Sequence, residues 1–108
     1  MSRHIDQAYV YILASSFQHL YIGITTQIEI RVSQHKNGAY PESFTSRYKI
    51  DKLVYLERYA MVSQAIAREK QLKRWSRIKK LRLIVAQNPT WKDLSEDWGK
   101  PITPYIEK

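Results

Sequence analysis

Three stretches of the chain have the apolar pattern of β-strands. Tyr9–Leu13 is rich in aromatic and β-branched residues, and Leu20–Ile24 repeats this pattern after a short polar turn. Because the link is short, the two stretches predict a β-hairpin in which Tyr11 and Tyr21 lie on neighbouring strands. Leu53–Tyr59 predicts a third strand.

A first helix is predicted directly after the hairpin. Thr26 and Glu29 have the spacing of a capping box, and Gly38 is a residue type at which helices commonly end. Residues 39–49 contain Pro41 and several hydroxyl side chains, which indicates a loop before the third strand.

Two more helices are predicted after the third strand. Ser63 can cap a helix that extends to about Trp75, and residues 77–87 form the next helix, which Asn88-Pro89 closes. Apolar residues beyond this point indicate a tail that folds back onto the core: Trp91, Leu94 and Trp98. The last stretch, 99–108, contains two prolines and is expected to be irregular.

Together these elements predict an α+β fold, in which a small three-stranded antiparallel sheet is flanked by about three helices in a sandwich-like arrangement. A chain of 108 residues is long enough for one modest core and too short for two. We therefore expect a single domain over residues 1–108, with a core at about 8–88 and a C-terminal tail at 89–108.

Composition narrows the chemistry that this domain can perform. The chain has no cysteine, which excludes disulfide bonds, thiolate zinc sites and cysteine nucleophiles. No apolar run approaches the ~20 residues needed to span a bilayer, and the polar residues 1–7 do not resemble a secretory signal. We expect a cytoplasmic protein that does not bind a membrane, and a protein partner is left open.

The charge of the chain points to a polyanion as its partner. The formal net charge is +8, and between residues 68 and 82 Glu69 is the only acid. Because displaced counterions favour binding to a phosphate backbone, this block predicts a surface that binds nucleic acid, although a solvated helix face is the simpler alternative. The predicted phosphate contacts in and before this block are Arg47, Lys49, Arg68, Lys70, Lys73, Arg74, Arg77, Lys79 and Lys80.

Glu69 is an acid on the apolar side of the second predicted helix. It lies four residues after Ala65 and three before Leu72, so it should face the sheet. A carboxylate in that position is costly unless it is paired or binds a metal. It is either one partner of a buried salt bridge, for example to Arg31 or Arg58, or an oxygen ligand for Mg²⁺.

Arg31 and His35 share one side of the first predicted helix with Ile28 and Val32. They should therefore lie at the edge of the core. The planar guanidinium group is suited to binding phosphate. Such a pair is by itself weak support for a site, since most pairs with this spacing simply lie on a helix surface.

The order of these pieces resembles the GIY-YIG nuclease superfamily over roughly residues 8–88. The first family motif, Gly-Ile-Tyr, corresponds to Tyr9–Tyr11, which keeps the tyrosine and lacks the glycine, and the second is intact as Tyr21–Gly23. The family arginine, histidine and metal-binding glutamate correspond to Arg31, His35 and Glu69. The chain looks similar to the small stand-alone bacterial members of this family.

Two positions depart from the pattern of some active relatives. Ile24 stands where those relatives have a lysine directly after the second motif. Leu81 stands where some have an asparagine about a dozen residues past the glutamate, and Asn88 lies further on. Both departures bear on activity more than on the fold.

What the resemblance implies is hydrolysis of a DNA phosphodiester with one divalent cation, Mg²⁺ or Mn²⁺. Glu69 would hold the cation, Arg31 would stabilise charge on the phosphate in the transition state, and His35 would assist. Either Tyr11 or Tyr21 would orient or deprotonate the attacking water, and Gly23 would let the backbone pass close to the site.

Three functions follow as expectations. The first is a structure-selective or weakly specific endonuclease in DNA repair or processing. The second is a nucleic-acid-binding module that keeps the fold and has lost cleavage, which the residues at Ile24 and Leu81 motivate. The third is a protein-interaction domain that uses Trp75, Trp91 and Trp98, and it predicts no salt-dependent DNA binding.

Overall fold

The structure is a computed structural model and describes residues 7–38 and 44–98. Three sequence predictions lie outside these residues in whole or in part. They concern the polar N-terminal stretch at 1–6, the first part of the predicted loop at 39–43, and the end of the tail at 99–108.

The sheet has three antiparallel strands, as predicted, in the order β2-β1-β3. They are β1 (Ala8–Ala14), β2 (Leu20–Thr25) and β3 (Lys52–Tyr59). The central strand pairs Tyr11 with Gly23 of β2 on one side, and a bulge after Ile12 shifts its register with β3 on the other. The hairpin therefore brings the tyrosine of the first motif opposite the glycine of the second.

Within the described residues, four helices accompany the sheet: α1 (Ile28–Lys36), α2 (Phe44–Arg47), α3 (Val62–Arg74) and α4 (Arg77–Gln87). The three longer helices confirm the predicted ones. The one-turn helix α2 corrects the prediction that residues 39–49 are a loop. Gly38 follows the end of α1 with a φ of 65°, the left-handed conformation that glycine adopts without steric cost.

Both predicted helix starts before α1 and α3 are wrong in detail. Helix α1 begins after Gln27 without a side-chain cap, so Thr26 forms no capping box. The hydroxyl that accepts a hydrogen bond before this helix is that of Thr25, which lies 3.0 Å from the Gln27 N–H. Helix α3 begins after Met61, whose backbone is extended, and Ser63 lies inside the first turn. No side chain caps this helix, so the predicted role of Ser63 is wrong.

Two apolar clusters lie on opposite faces of the sheet because the side chains of a strand alternate in direction. One cluster joins β1 and β3 to α3 and α4 and includes Val10, Ile12, Val54, Ala65, Leu72 and Ile84. The other joins β1 to α1 and includes Tyr11, Leu13, Ile28, Val32, Ile50 and Leu53. The candidate site starts from Tyr11, so it belongs to the α1 side.

The tail after α4 covers the free edge of β3. The Gln87 amide group exchanges hydrogen bonds with the backbone N–H and C=O of Leu56, at 3.3 and 3.2 Å. Further along, the Leu53 N–H donates to Asp93 Oδ1 at 3.2 Å, and the Leu94 N–H donates to the Leu53 carbonyl at 2.7 Å. These bonds replace a fourth strand.

The side chains of the tail confirm most of its predicted packing. Trp91 packs against the cluster on the α3 side and Trp98 against the cluster on the α1 side. The Leu94 side chain is 36% exposed, so this residue is held through its backbone. Within the described ranges, no helix is long and apolar enough to cross a membrane.

Candidate active site

Gly23 allows the Tyr11 phenol to lie directly across β2. A Cβ atom at Gly23 would stand 2.6 Å from both Cζ and the hydroxyl oxygen of Tyr11 and 3.0 Å from Cε2 of Tyr21. The two tyrosine rings lie with their centroids 6.2 Å apart. Tyr11 is 1% exposed, whereas Tyr21 is half-buried. The glycine of the second motif is therefore required by close approach.

His35 connects the tyrosines to helices α1 and α2. Its Nε2 lies 3.3 Å from the Tyr11 hydroxyl, and its Nδ1 lies 3.0 Å from Thr45 Oγ1. The His35 ring is also 5.3 Å from the Tyr21 ring. An assignment that is consistent with a neutral imidazole has Nδ1–H donating to Thr45 and Nε2 accepting from Tyr11.

Thr45 is a site residue that the sequence did not predict. It is buried and belongs to the one-turn helix α2. The sequence around it was interpreted as a loop, and a hydroxyl residue in a loop has no feature that distinguishes it from its neighbours. The sequence showed the spacing of His35 from the other site residues, but it gave no sign that Thr45 on α2 is its hydrogen-bonding partner.

The charge of Arg31 acts on both His35 and Tyr11. Burial and the Arg31 guanidinium both lower the pKa of His35, so the imidazole is neutral at physiological pH. Burial raises the pKa of Tyr11 well above its usual value, and nearby Tyr21 adds to the rise, while Arg31 opposes it. Tyr11 is therefore a neutral hydrogen-bonding group.

Glu69 occupies the predicted side of α3. The buried residues Ala65 and Leu72 flank it along the helix, and its side chain is 18% exposed. Its carboxylate forms an ion pair with Lys73 at 3.0 Å, so the predicted alternative partners Arg31 and Arg58 are not the ones it has. The negative charge of Glu69 contributes to the raised pKa of Tyr11, which connects α3 electrostatically to the tyrosines.

The apolar stripe of α3 is narrower than its sequence suggested. Val62 and Ile66 are also apolar positions of this helix, but they are 39% and 37% exposed. Ala65 and Leu72 alone are fully buried on this helix.

The donor set around Glu69 fits a Mg²⁺ or Mn²⁺ ion held by one carboxylate. Among residues 7–38 and 44–98, no three His, Cys, Asp or Glu side chains group together as in a multi-ligand site. Mg²⁺ does not require such a group, because it keeps several waters and binds one or two carboxylates together with substrate phosphate. A half-buried carboxylate with a single lysine partner meets this requirement.

The predicted DNA contacts differ in how far their side chains are exposed. Seven of them are exposed on the surface: Arg47, Lys49, Lys70, Lys73, Arg74, Arg77 and Lys79. Lys80 is half-buried. Arg68 is engaged inside the protein, because its Nε and Nη2 each donate to the Glu57 carboxylate at 3.0 Å and its guanidinium lies 5.1 Å from the Trp75 ring centroid.

Glu57 is the centre of a hydrogen-bonded cluster that fixes α3 on β3. It accepts from Tyr55, from Tyr59 at 2.7 Å and from Arg68 of α3. Burial opposes its ionisation, but the hydrogen bonds from Arg68 and the two tyrosines lower its pKa overall. The sequence contained a signal for this cluster, since residues 55, 57 and 59 alternate onto one face of a strand.

Ile24, which replaces a lysine of some relatives, and Asn88, which lies beyond the position of the family asparagine, both have structural roles. Ile24 packs against the apolar cluster on the α3 side of the sheet. Asn88 is buried and holds the chain together after α4, because its Nδ2 donates to the carbonyls of Val54 at 3.1 Å and Lys92 at 2.8 Å. Asn88 is thus committed to the fold and is not a substitute for the family asparagine.

Residues 7–82, which include the whole of this site, match the family model described as the GIY-YIG catalytic domain. The chain therefore belongs to the GIY-YIG family of nucleases. This confirms the resemblance that the sequence motifs indicated.

Curated relatives of the chain are UPF0213 proteins. One from Syntrophus aciditrophicus is 44% identical over 85 residues, which cover 79% of this chain and 97% of that protein. Another, from Natronomonas pharaonis, is 40% identical over 76 residues, covering 70% and 88%. The solution NMR structure of a UPF0213 protein from Bacillus halodurans has a TM-score of 0.54 at 24% identity, covers 88% of this chain and 99% of that one, and supports the same fold.

Proposed function

We propose that this protein is a divalent-metal-dependent DNA endonuclease that hydrolyses phosphodiester bonds. The observation that carries the proposal is the convergence of four groups on the Tyr11 hydroxyl. His35 lies within hydrogen-bonding distance of it, and the Tyr21 ring is adjacent. The charges of Arg31 and Glu69 both act on it.

Glu69 is the residue that would hold Mg²⁺ or Mn²⁺ in this site. When bound, the cation supplies Lewis-acid stabilisation of the charge on the phosphate and on the leaving oxygen. Lys73, the present partner of the carboxylate, is exposed and can move to a phosphate when Glu69 is engaged.

Arg31 binds the scissile phosphate and stabilises the charge that develops in the transition state. It is half-buried, and its charge already acts on the two hydrogen-bonded groups Tyr11 and His35. Removing one such preorganised donor costs an enzyme about 100- to 1000-fold in kcat.

The tyrosines orient the attacking water. The raised pKa of Tyr11 keeps its phenol neutral, so the hydroxyl can donate a hydrogen bond to Nε2 of the neutral His35. Tyr21 is the more exposed of the two rings and faces the same imidazole. We therefore assign contact with the water to Tyr21 and the positioning of the pair to Tyr11 and His35.

A second candidate function is a nucleic-acid-binding module that does not cleave. Two observations favour it: Glu69 is paired with Lys73, and an apolar Ile24 packs where some relatives place a lysine. The exposed basic residues of α3 and α4 serve either function.

We place the activity in DNA processing or repair in the cytoplasm, where a chain without cysteine needs no oxidising environment.

A cleavage assay separates the two functions. Supercoiled, single-stranded and branched DNA are incubated with Mg²⁺ or Mn²⁺, and with EDTA as the metal-free arm. We expect metal-dependent cuts that fall at least 100-fold in Glu69→Gln and Arg31→Ala. Glu96→Gln is the matched control, because Glu96 also pairs with a lysine one turn away, at 3.7 Å, and is 51% exposed.

The outcomes are distinct. Salt-dependent DNA binding without cleavage by the wild-type protein contradicts the nuclease proposal and supports the binding module. Cleavage that is equal in the wild-type and Glu69→Gln proteins shows that Glu69 is not the metal ligand. Absence of any DNA binding contradicts both functions and leaves the protein-interaction domain.

A further inference from the structure

The turn between β1 and β2 holds Phe17 out into solvent. Phe17 is 85% exposed, the highest exposure of any large apolar side chain that the structure describes. The turn is well organised: the buried Ser15 accepts through Oγ from the N–H groups of Phe17 at 3.2 Å and His19 at 3.0 Å. Gln18 takes a left-handed conformation with a φ of 64°.

Two more aromatic rings lie beside this turn. His19 is exposed, and its ring centroid lies 5.0 Å from that of Tyr48, which follows helix α2 and is 44% exposed. We call Phe17, His19 and Tyr48 together the aromatic tip. It joins the hairpin turn to the segment that carries Thr45 of the candidate site.

The surroundings of the aromatic tip are basic. Arg77, the first residue of α4, donates from Nη2 to the Gln18 carbonyl at 2.8 Å and so connects the turn to the basic helices. Arg47 and Lys49 are exposed on either side of Tyr48 in the sequence. Neither residues 15–19 nor residues 45–49 include an acid.

The aromatic tip is within reach of the candidate active site. Phe17 precedes Tyr21 by four residues, so their Cα atoms are at most about 14 Å apart. A nucleic-acid strand that contacts the aromatic tip therefore also reaches the tyrosines.

We propose that the aromatic tip binds unpaired bases of a nucleic-acid strand by stacking, and that it thereby selects substrates with a single-stranded segment beside the scissile phosphate. The inference rests on the proposed function, since it names the substrate class of the same site. Aromatic rings next to cationic side chains are how proteins bind single strands without sequence preference. Such stacking requires bases that are free of a duplex.

Phe17 is the residue that tests the proposal, because its side chain is exposed and its removal leaves the core intact. Binding is measured by fluorescence anisotropy in EDTA, so that no cleavage occurs. The probes are a single-stranded oligonucleotide that contains 2-aminopurine and a blunt duplex of the same length. The 2-aminopurine emission reports stacking directly.

We expect Phe17→Ala to weaken binding of the single strand about 5- to 150-fold, the loss typical of one stacked base, and to leave duplex binding almost unchanged. Phe17→Trp retains the binding and quenches the 2-aminopurine emission. Met61→Ala is the matched control, because Met61 is 58% exposed and precedes α3, and it is expected to bind both probes as the wild type does.

Three results contradict the inference. Equal losses on both probes in Phe17→Ala, no loss on either, or an equal loss in Met61→Ala would show that bases do not stack on Phe17. If the wild type cleaves DNA but Phe17→Ala shows no selective loss, only this inference fails. If the selective loss occurs without cleavage, the aromatic tip stands and the nuclease proposal fails.

Discussion

Replacing Gly23 by alanine tests whether the close approach of Tyr11 to β2 is what builds the site. The new Cβ atom would lie 2.6 Å from Cζ and the hydroxyl of Tyr11. Ordinary carbon contacts are about 3.5–4.0 Å, so the phenol would have to move by about 1 Å. Tyr11 is 1% exposed, which leaves its ring little room to do so.

Two effects of different size follow from this displacement. Overpacking of this kind costs about 1–3 kcal/mol of unfolding free energy, which corresponds to a fall in Tm of at least about 4 °C for a domain of this size. The 3.3 Å contact between Tyr11 and His35 would also be lost, and misplacing catalytic groups by 1 Å costs about 100-fold in rate. Activity should therefore suffer more than stability.

The assay combines thermal unfolding by circular dichroism with cleavage kinetics well below the Tm. Gly38→Ala is the comparison, because Gly38 has a φ of 65° and an added Cβ atom would make only an ordinary contact, with Ser46 Oγ at 3.8 Å, so its substitution strains the backbone without displacing the tyrosines. We expect it to lower the Tm and retain cleavage. A Gly23→Ala protein that cuts at the wild-type rate would refute the reasoning, since the tyrosine would then not need its present position.

Two further predictions concern the groups that hold the site in place. Thr45→Val removes the hydroxyl 3.0 Å from His35 Nδ1, so we expect kcat/KM for DNA cleavage to fall about two- to tenfold and Thr45→Ser to restore it; equal rates in all three proteins would contradict this role. We expect Glu57→Gln to reduce the dependence of the unfolding free energy on pH in the acidic range. Because the folded-state pKa of Glu57 lies below its usual 4.5, the ionised cluster stabilises the wild type above about that pH, and this stabilisation is lost as the pH falls through the folded pKa. Chemical denaturation between pH 3 and 7 measures it, and parallel profiles for the two proteins would count against the cluster.

The sequence predicted the larger elements because their signals are repeated over many residues. The strands are runs of aromatic and β-branched residues, and the long helices are bounded by several start and stop residues, so that single residues do not obscure them. The starts of α1 and α3 were mispredicted because Thr25, Thr26 and Ser63 all offer a hydroxyl near a helix start. Only the path of the backbone decides which hydroxyl accepts a hydrogen bond there.

The candidate site was predictable to a different extent. Tyr11, Tyr21, Arg31, His35 and Glu69 occupy fixed places on regular elements. The structure brings Tyr11, Tyr21 and His35 into contact, and Arg31 and Glu69 act on them through their charges. Thr45 and the aromatic tip depend on contacts between turns that are distant in sequence. No periodicity encodes such contacts, so they had to be observed in three dimensions.

The covered edge of β3 has a consequence for how this protein behaves when it opens locally. The hydrogen bonds along this edge come from the side chains of Gln87, Asn88 and Asp93 and from the backbone of Leu94, not from another strand. Opening of this short segment therefore exposes the main-chain groups of a hydrophobic strand while the rest of the sheet stays folded. In that state another chain can pair with the exposed strand, so the tail protects the protein from self-association. Amide hydrogen exchange at Leu53 and Leu56 measures how often the tail opens.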